Sequence, residues 1–307
     1  MSLSVSEQRI SLGQMTYNIA NSHSAGAPLL MLHGVTRRWQ TFLPLAATLA
    51  TRCRIIAPDF RGHGRTDPVV SQYRVIDYVE DAIRTLVDQT ETPAVIYGHS
   101  LGAMVAVAAA AEAPDLVRAI ILEDPPFETM GSRIFSTPLH SYFTAAQRLA
   151  GSNKPLEQLA RDVAQLEYVD PISKTAIRQG DLRDPAALRF TAKCLSQLDP
   201  AVLEPIVAGA WLEGYDRAEI LRRIRCPVLL LQADIEAGGM LTPEDAAAVK
   251  SSIADCTTVK LSGVSHLMHS AQPQKISDAI HNFLESLEVD RSATLHRVSQ
   301  ERAHEDF

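Results

Sequence analysis

The sequence is poor in cysteine and has no long hydrophobic run. Its four cysteines, Cys53, Cys194, Cys226 and Cys256, form no Cys-x-x-Cys pair and lack the spacing of metal ligands. We therefore expect reduced, partly buried thiols in a reducing compartment rather than a disulfide or metal scaffold. No apolar stretch approaches the roughly 20 residues that a membrane-spanning helix requires, so a membrane protein is not expected.

Basic residues are also too few for a nucleic-acid-binding surface. The 29 Lys and Arg residues are outnumbered by 36 Asp and Glu residues, which gives a net charge of −7 and a pI of about 5.8. Binding to a phosphate backbone requires a basic surface, and a negative chain is not attracted to anionic lipid. The N-terminal residues lack a basic stretch followed by an apolar one, so we expect no signal peptide and a cytoplasmic location.

Short apolar runs recur along the chain, separated by helix-like patterns. Hydrophobic residues make up 46% of the chain and charged residues 21%, as in globular proteins. Continuous apolar runs indicate strands that are covered on both faces. The predicted strands are Ala27–His33, Arg54–Pro58, Ala94–Tyr97, Ala119–Leu122, Pro227–Gln232 and Thr257–Leu261, and the predicted helices are Ile76–Gln89, Leu101–Ala113, Pro243–Ala254 and Lys275–Leu287. This alternation predicts an α/β fold with a mostly parallel central sheet flanked by helices, and Gln8–Leu12 with Met15–Ala20 predicts an antiparallel edge hairpin.

The region 127–225 interrupts this alternation. It shows no strand-like run, has helix-like spacing and contains several prolines. About 100 residues are too many for a simple loop, so we predict a helical insertion. The length alone suggests one large domain or two smaller ones; the pattern favours one core, residues 1–126 and 226–288, interrupted by the insertion. The polar tail 289–307 is predicted to be disordered.

A glycine-flanked serine lies between a predicted strand and a predicted helix. The segment Gly98-His99-Ser100-Leu101-Gly102 follows the apolar run AVIY and precedes LGAMVAVAAAA. Gly-x-Ser-x-Gly in this context is typical of a nucleophile on a sharp, strained turn, where the neighbouring positions must be very small. The turn lifts the Ser100 hydroxyl clear of the sheet at a helix N-terminus, where backbone N–H groups face developing negative charge.

This motif and the segments around it make the sequence resemble the α/β-hydrolase-fold family over nearly its whole length. Three further segments carry the resemblance: Leu32-His33-Gly34-Val35, Asp59-Phe60-Arg61-Gly62-His63-Gly64-Arg65-Thr66 and Gly263-Val264-Ser265-His266. The resemblance implies that the insertion is a helical cap. It also implies an oxyanion hole formed by the backbone N–H groups of Val35 and Leu101, and a general base at His266. Asp59, Arg61, Gly62 and Gly64 are expected to fix a turn beside the site.

Two roles leave alternatives open. Among other histidines, His99 is expected to point away from Ser100, His33 to organise the oxyanion loop, and His269 is a candidate for the pocket wall. The catalytic acid must reach the imidazole nitrogen that faces away from the serine. Asp234, after the strand PVLLLQ, is the preferred candidate, with Glu236 in the same loop and Asp124 after the preceding strand as alternatives.

Candidate substrate contacts follow the oxyanion loop and lie in the insertion. The guanidinium groups of Arg37 and Arg38 could bind a substrate carboxylate. The candidates for an apolar pocket wall are Trp39, Phe127, Met130, Phe135, Tyr142, Phe143 and Trp211.

These residues predict a serine hydrolase that cleaves a small-molecule carboxylic ester or lactone through an acyl-enzyme, without a metal or organic cofactor. Relatives that open epoxides or displace halides use a carboxylate in place of Ser100, so those reactions are not expected. Two alternatives stay open. One is hydrolysis of a carbon–carbon bond in a diketone-type substrate, and the other is a slow-turnover ligand receptor on the same fold.

Overall fold

A twisted eight-stranded sheet forms the centre of the molecule in a computed structural model, which describes residues 4–287. The predicted tail 289–307 lies outside the described residues. The strands are β1 (Val5–Leu12), β2 (Met15–Ser22), β3 (Ala27–Leu32), β4 (Cys53–Pro58), β5 (Ala94–His99), β6 (Val117–Glu123), β7 (Glu167–Val169), β8 (Ala176–Arg178), β9 (Val228–Gln232) and β10 (Cys256–Lys260). The order in the sheet is β1-β2-β4-β3-β5-β6-β9-β10, while β7 and β8 form a separate pair.

Helices connect and cover these strands. They are α1 (Leu43–Leu49), α2 (Val79–Gln89), α3 (Leu101–Glu112), α4 (Phe127–Met130), α5 (Leu139–Gln147), α6 (Leu156–Ala164), α7 (Gln179–Leu182), α8 (Pro185–Ser196), α9 (Glu204–Val207), α10 (Arg217–Arg222), α11 (Pro243–Ser252), α12 (Met268–Ala271) and α13 (273–287). Within residues 4–287 no helix is both long enough and apolar enough to cross a membrane.

The central strands run parallel, as predicted. Strands β3, β4, β5, β6, β9 and β10 pair in parallel, whereas β1 and β2 form the predicted antiparallel hairpin. Alternate residues of β3 enter different apolar clusters, with Leu30 and Leu32 in one and Leu29 and Met31 in the other. Because both faces of the sheet are covered, the strands need apolar residues at every position. The carboxyl ends of the parallel strands therefore share one edge.

The segment 127–225, which we call the inserted segment, lies between β6 and β9 in the chain. It contains α4 to α10, as the helical prediction requires, but also the hairpin β7–β8. The prediction that this region has no strand was therefore wrong. Each of these strands has three residues, and those of β8 are all exposed. Such short, exposed strands need no apolar run, so the sequence pattern gave no signal.

A buried carboxylate connects the inserted segment to the core. The Asp245 side chain on α11 is 1% exposed and accepts hydrogen bonds from Arg133 and Arg217, which both belong to the inserted segment. The Arg217 guanidinium also lies 5.6 Å from the centre of the Phe127 ring. One buried charge with two partners fixes both ends of the inserted segment against α11.

Candidate active site

Ser100 lies at the turn between β5 and α3, in a strained backbone conformation. Its φ of 54° and ψ of −116° place a non-glycine residue in a sparsely populated region. The flanking glycines make the turn possible. A Cβ at Gly98 would lie 2.2 Å from the Gly102 carbonyl oxygen, and a Cβ at Gly102 would lie 1.9 Å from the Leu32 carbonyl oxygen. The turn holds Ser100 at the edge of a cavity that it helps to line.

His266 and Asp124 are hydrogen-bonded to each other beside this serine. The His266 Nδ1 atom lies 2.6 Å from the Asp124 Oδ2 atom. Asp124 follows β6 directly, has a φ of 45° and is fully buried. Its carboxylate also accepts hydrogen bonds from the backbone N–H groups of Ala233, Met240 and Leu241. His266 lines the same cavity as Ser100, so the structure brings a hydroxyl, an imidazole and a carboxylate together.

The prediction that Asp234 contacts His266 is corrected by this geometry. The Asp234 carboxylate instead accepts hydrogen bonds from the Gly263 N–H at 2.7 Å and the Glu236 N–H at 3.1 Å. These two hydrogen bonds, that from Gly263 first, lower the pKa of Asp234. Asp234 therefore connects its own loop to the loop that carries His266, and Glu236 is exposed. The neighbouring strands β6 and β9 are each followed within two residues by an aspartate, and it is Asp124, after β6, that contacts the imidazole.

Two backbone segments near Ser100 fit the predicted oxyanion hole. Helix α3 begins at Leu101, so its first N–H groups have no acceptor within the helix. Val35 lines the cavity. Its peptide group is held through the Gly34 carbonyl oxygen, which lies 2.8 Å from His33 Nδ1. The Phe60 N–H donates to His33 Nε2 at 3.0 Å, so Nδ1 is the donor to Gly34. Burial lowers the pKa of His33 well below its usual value, which keeps this ring neutral.

The other two histidine candidates are buried near His266: the His99 ring centre lies 4.6 Å from that of His266 and 4.9 Å from that of His269, and His99 also lines the cavity. His99 is buried, and its Nε2 donates to the His266 carbonyl oxygen at 3.1 Å. His269 does not line the cavity in the described structure; its Nδ1 lies 2.9 Å from Glu123 Oε1 and its Nε2 lies 2.9 Å from Thr41 Oγ1. Among residues 4–287, one group of side chains could hold a metal ion, because its possible ligand atoms all lie within 4.8 Å of one another: His99, Glu123 and His269. Both ring nitrogens of His269 already have protein partners, so this group is a buried hydrogen-bonded support for the His266 loop.

The turn around Asp59 has the structural role that was predicted. Its carboxylate accepts hydrogen bonds from the backbone of Trp39 and Arg65 and from the Asn18 side chain. Burial raises the pKa of Asp59. Arg61 forms a buried ion pair with Asp81 at 2.5 Å. Neither Asp59 nor Arg61 lines the cavity described next.

The cavity beside Ser100 has a volume of about 990 Å³ and is lined by both the core and the inserted segment. Of the predicted apolar wall, Met130, Tyr142 and Phe143 line it. Trp39, Phe127 and Trp211 do not, which corrects those predictions. Phe127 and Trp211 are fully buried in the apolar core, where they join the inserted segment to the sheet. Trp39 packs on the opposite face of the sheet, and Phe135 is 55% exposed.

The two predicted arginines point to different places. Arg37 lines the cavity, and its Nη1 donates to Thr191 Oγ1 at 2.9 Å. Arg38 does not line it and donates from Nη1 to Gln197 Oε1 at 2.8 Å, so its predicted contact with substrate is corrected. Sequence reasoning missed Arg183 and Tyr168, which line the cavity from the inserted segment. Neither follows a core strand, and no motif marks them.

Comparison with known proteins identifies the family of this chain. Residues 29–279 match the model of the alpha/beta hydrolase family, which covers most of the chain. The chain therefore belongs to the alpha/beta hydrolase family, and the protein is a hydrolase.

Two curated relatives are similar along nearly their whole length. The chain is 28% identical to the 2-(acetamidomethylene)succinate hydrolase of Mesorhizobium japonicum, over 91% of this chain and 95% of the relative. It is 21% identical to the (E)-2-((N-methylformamido)methylene)succinate hydrolase of Acinetobacter baylyi, over 88% of this chain and 98% of the relative. A crystal structure of an E-2-(acetamidomethylene)succinate hydrolase superimposes with a TM-score of 0.72 at 24% identity, covering 92% of this chain and 100% of that chain. This superposition shows the shared fold.

Proposed function

We propose that the protein is a serine hydrolase that cleaves a small-molecule carboxylic ester or lactone through an acyl-enzyme. Ser100 is the nucleophile, His266 the general base and Asp124 the acid of the triad. The supporting observation is the 2.6 Å contact between His266 Nδ1 and Asp124 Oδ2, since His266 lines the same cavity as Ser100. A carboxylate on Nδ1 leaves Nε2 as the basic nitrogen of the ring, as the serine mechanism requires.

The reaction follows from these positions. His266 Nε2 takes the proton of the Ser100 hydroxyl while Oγ attacks the carbonyl carbon. The negative oxygen of the tetrahedral intermediate accepts hydrogen bonds from the N–H groups of Val35 and Leu101. Asp124 stabilises the imidazolium, which then gives its proton to the departing alcohol. A water molecule, deprotonated by His266, attacks the acyl-enzyme in the same way and releases the acid and free Ser100.

A second candidate bond is an amide. Both curated relatives are named as hydrolases of methylenesuccinates that carry an acylated nitrogen. The same triad cleaves such a bond when His266 protonates a nitrogen leaving group instead of an oxygen. We propose further that the inserted segment is the cap of this site, because it supplies a large part of the cavity wall, and that the enzyme acts in the cytoplasm on a small molecule.

The test is turnover of a panel of short p-nitrophenyl esters, lactones and acetamido compounds by wild type and Ser100→Ala. We expect the substitution to lower kcat by about 10⁴-fold or more, because no other group supplies the attacking oxygen. Ser251→Ala, an exposed serine on α11, is the matched control and should retain wild-type kcat. Undiminished turnover in Ser100→Ala would contradict the proposal.

The same panel separates the alternatives. Turnover of a vinylogous diketone with none of the esters would replace acyl transfer by carbon–carbon bond hydrolysis. Tight ligand binding with turnover slower than ligand dissociation would favour a receptor.

A further inference from the structure

We propose that Arg37 and Arg183 form a carboxylate-binding site inside the cavity, so that the natural substrate carries a free carboxylate besides its scissile acyl bond. The inference deepens the proposed function and rests on it. The two arginines come from different parts of the fold. Arg37 lies two residues after Val35, in the core, and Arg183 lies between α7 and α8, in the inserted segment. Both line the cavity that holds Ser100.

The charged groups around the cavity leave these two guanidinium groups without an acidic partner. Arg133 also lines the cavity, but the buried Asp245 neutralises it. Among the described residues, Asp184 is the acidic residue that lines the cavity. Its Oδ1 accepts hydrogen bonds from the backbone N–H groups of Ala186 and Ala187 at the start of α8. Among residues 4–287, no carboxylate oxygen lies within 4.0 Å, the limit for an ion pair, of a guanidinium nitrogen of Arg37 or Arg183. Four further titratable groups line the cavity: His99, His266, Tyr142 and Tyr168.

Two positive charges share this wall, and both arginines are half-buried. Burial, followed by the charge of Arg37, lowers the pKa of Arg183, and the smaller opposing effects of Tyr168, Tyr142 and Asp184 do not cancel this shift. A guanidinium removed from water loses hydration that only a partner can replace, and a second guanidinium nearby repels it. Arg37 has a neutral partner, the Thr191 hydroxyl, at 2.9 Å. A bound carboxylate would relieve both costs at once.

The surrounding wall suits a small organic carboxylate. The rings of Tyr142 and Tyr168 stack with their centres 4.6 Å apart, and the apolar residues Ile177 and Leu182 line the same region. Guanidinium groups bind planar carboxylates through paired N–H donors. Arg37 follows Val35 by two positions in the chain, and both residues line the cavity that Ser100 lines. The carboxylate would therefore sit a short chain away from the scissile carbonyl.

The first experiment compares two esters of equal chain length, mono-p-nitrophenyl adipate and p-nitrophenyl hexanoate. We expect wild type to prefer the adipate ester in kcat/KM. Arg37→Gln and Arg183→Gln should each lower kcat/KM for that ester by about 10-fold to 100-fold, mainly through KM, as expected for a lost charged hydrogen bond. The hexanoate ester should change by less than about 3-fold in the same variants.

Two further variants control for charge and folding. Arg189→Gln removes an exposed arginine on α8 that does not line the cavity, and it should leave both esters unchanged. Arg183→Lys keeps the charge but loses the paired donors, so it should restore part of the preference. Equal losses on both esters in Arg37→Gln and Arg183→Gln, or a wild type without preference, would overturn the carboxylate site.

The second experiment measures binding without turnover. Adipate, hexanoate and inorganic phosphate are titrated calorimetrically into Ser100→Ala and into Ser100→Ala with Arg183→Gln. We expect adipate to bind the first protein at least about 10-fold more tightly than the second. Stronger binding of phosphate than of adipate would contradict the carboxylate class. Because no ester is cleaved, adipate binding supports the site even if Ser100 proves not to be the nucleophile, and ester turnover without adipate binding supports only the triad.

Discussion

At the scale of single residues, the carboxylate beside His266 is decided by backbone geometry. Asp124 and Asp234 both follow parallel strands that are neighbours in the sheet. The Asp124 N–H donates to the Leu231 carbonyl oxygen at 2.9 Å, and its φ of 45° turns its side chain to His266. Asp234 continues into a short helical turn that its own carboxylate caps. Two residues of the same type at similar places thus have different chemistry.

Substituting each aspartate by asparagine distinguishes the two. We expect Asp124→Asn to lower kcat by about 10⁴-fold, because the amide stabilises the wrong imidazole tautomer and no imidazolium. Asp234→Asn should lower kcat by less than about 10-fold, because its amide oxygen still accepts from Gly263 or Glu236. Steady-state kinetics on the best ester gives the values, and thermal unfolding confirms that both variants are folded. A larger kcat loss in Asp234→Asn than in Asp124→Asn would refute the assignment.

At the scale of elements, the close approach of α3 to β3 sets the position of Ser100. The missing side chain at Gly102 lets the helix begin directly against the Leu32 carbonyl group, where a Cβ would come within 1.9 Å of the oxygen. Helix α3 is buried from Leu101 to Ala111, and seven of its 12 residues are alanine or glycine. Small residues permit this contact and keep Ser100 at the edge of the sheet.

Gly102→Ala tests this contact. We expect the added methyl group to push α3 from β3 and to lower the free energy of unfolding by about 1–3 kcal/mol or more. It should also lower kcat, because Ser100 and the Leu101 N–H move with the helix. The control Gly180→Ala places its Cβ 3.1 Å from the Ala164 carbonyl oxygen and should cost less than Gly102→Ala. Urea unfolding provides the comparison. Unchanged stability in Gly102→Ala would show that the contact between α3 and β3 has room for a side chain at this position.

At the scale of the whole molecule, folding buries imidazole rings that stay neutral. His33, His63 and His99 are each 1% exposed or less. The His63 Nδ1 lies 2.9 Å from the Arg61 carbonyl oxygen, to which it donates. Burial lowers the pKa of His63 to about 4, and burial also lowers the pKa values of His33 and His99. The buried rings therefore make the free energy of unfolding depend on pH.

The stability of the protein should fall as the solution becomes acidic. An unfolded histidine takes up a proton below about pH 6.5, whereas His63 in the fold does so only near pH 4. In between, the unfolded state binds more protons, so stability is complete above about pH 6.5 and is lost as pH decreases. His63 alone should account for a loss of about 2 kcal/mol between about pH 7 and pH 5.

His63→Gln provides the control for this effect. Glutamine keeps a donor for the Arg61 carbonyl oxygen but does not titrate, so the loss of unfolding free energy between the two pH values should shrink by about 2 kcal/mol. Denaturant unfolding at both pH values measures the slope, whatever the absolute stability of the variant. An equal slope in variant and wild type would show that His63 does not carry the coupling.

The sequence by itself determined the sheet and the turn that carries Ser100. Continuous apolar runs and the Gly98 to Gly102 spacing are local properties, because burial on both faces and a glycine-dependent turn each require particular residue types at consecutive positions. The predicted strands and core helices therefore lie where the structure has them, to within a few residues. The turn that holds Ser100 is likewise a local consequence of two glycines.

The tertiary structure alone decided which side chains meet. Asp124 reaches His266 across 142 residues of sequence, and Arg183 faces the same cavity as Arg37 from a segment that no motif marks. Trp211 and Arg38 are residue types that often line pockets, but Trp211 packs in the apolar core and Arg38 donates a hydrogen bond to Gln197. The physical reason is that strand order and the path of the inserted segment set these distances, and both depend on how remote elements pack rather than on local residue pattern.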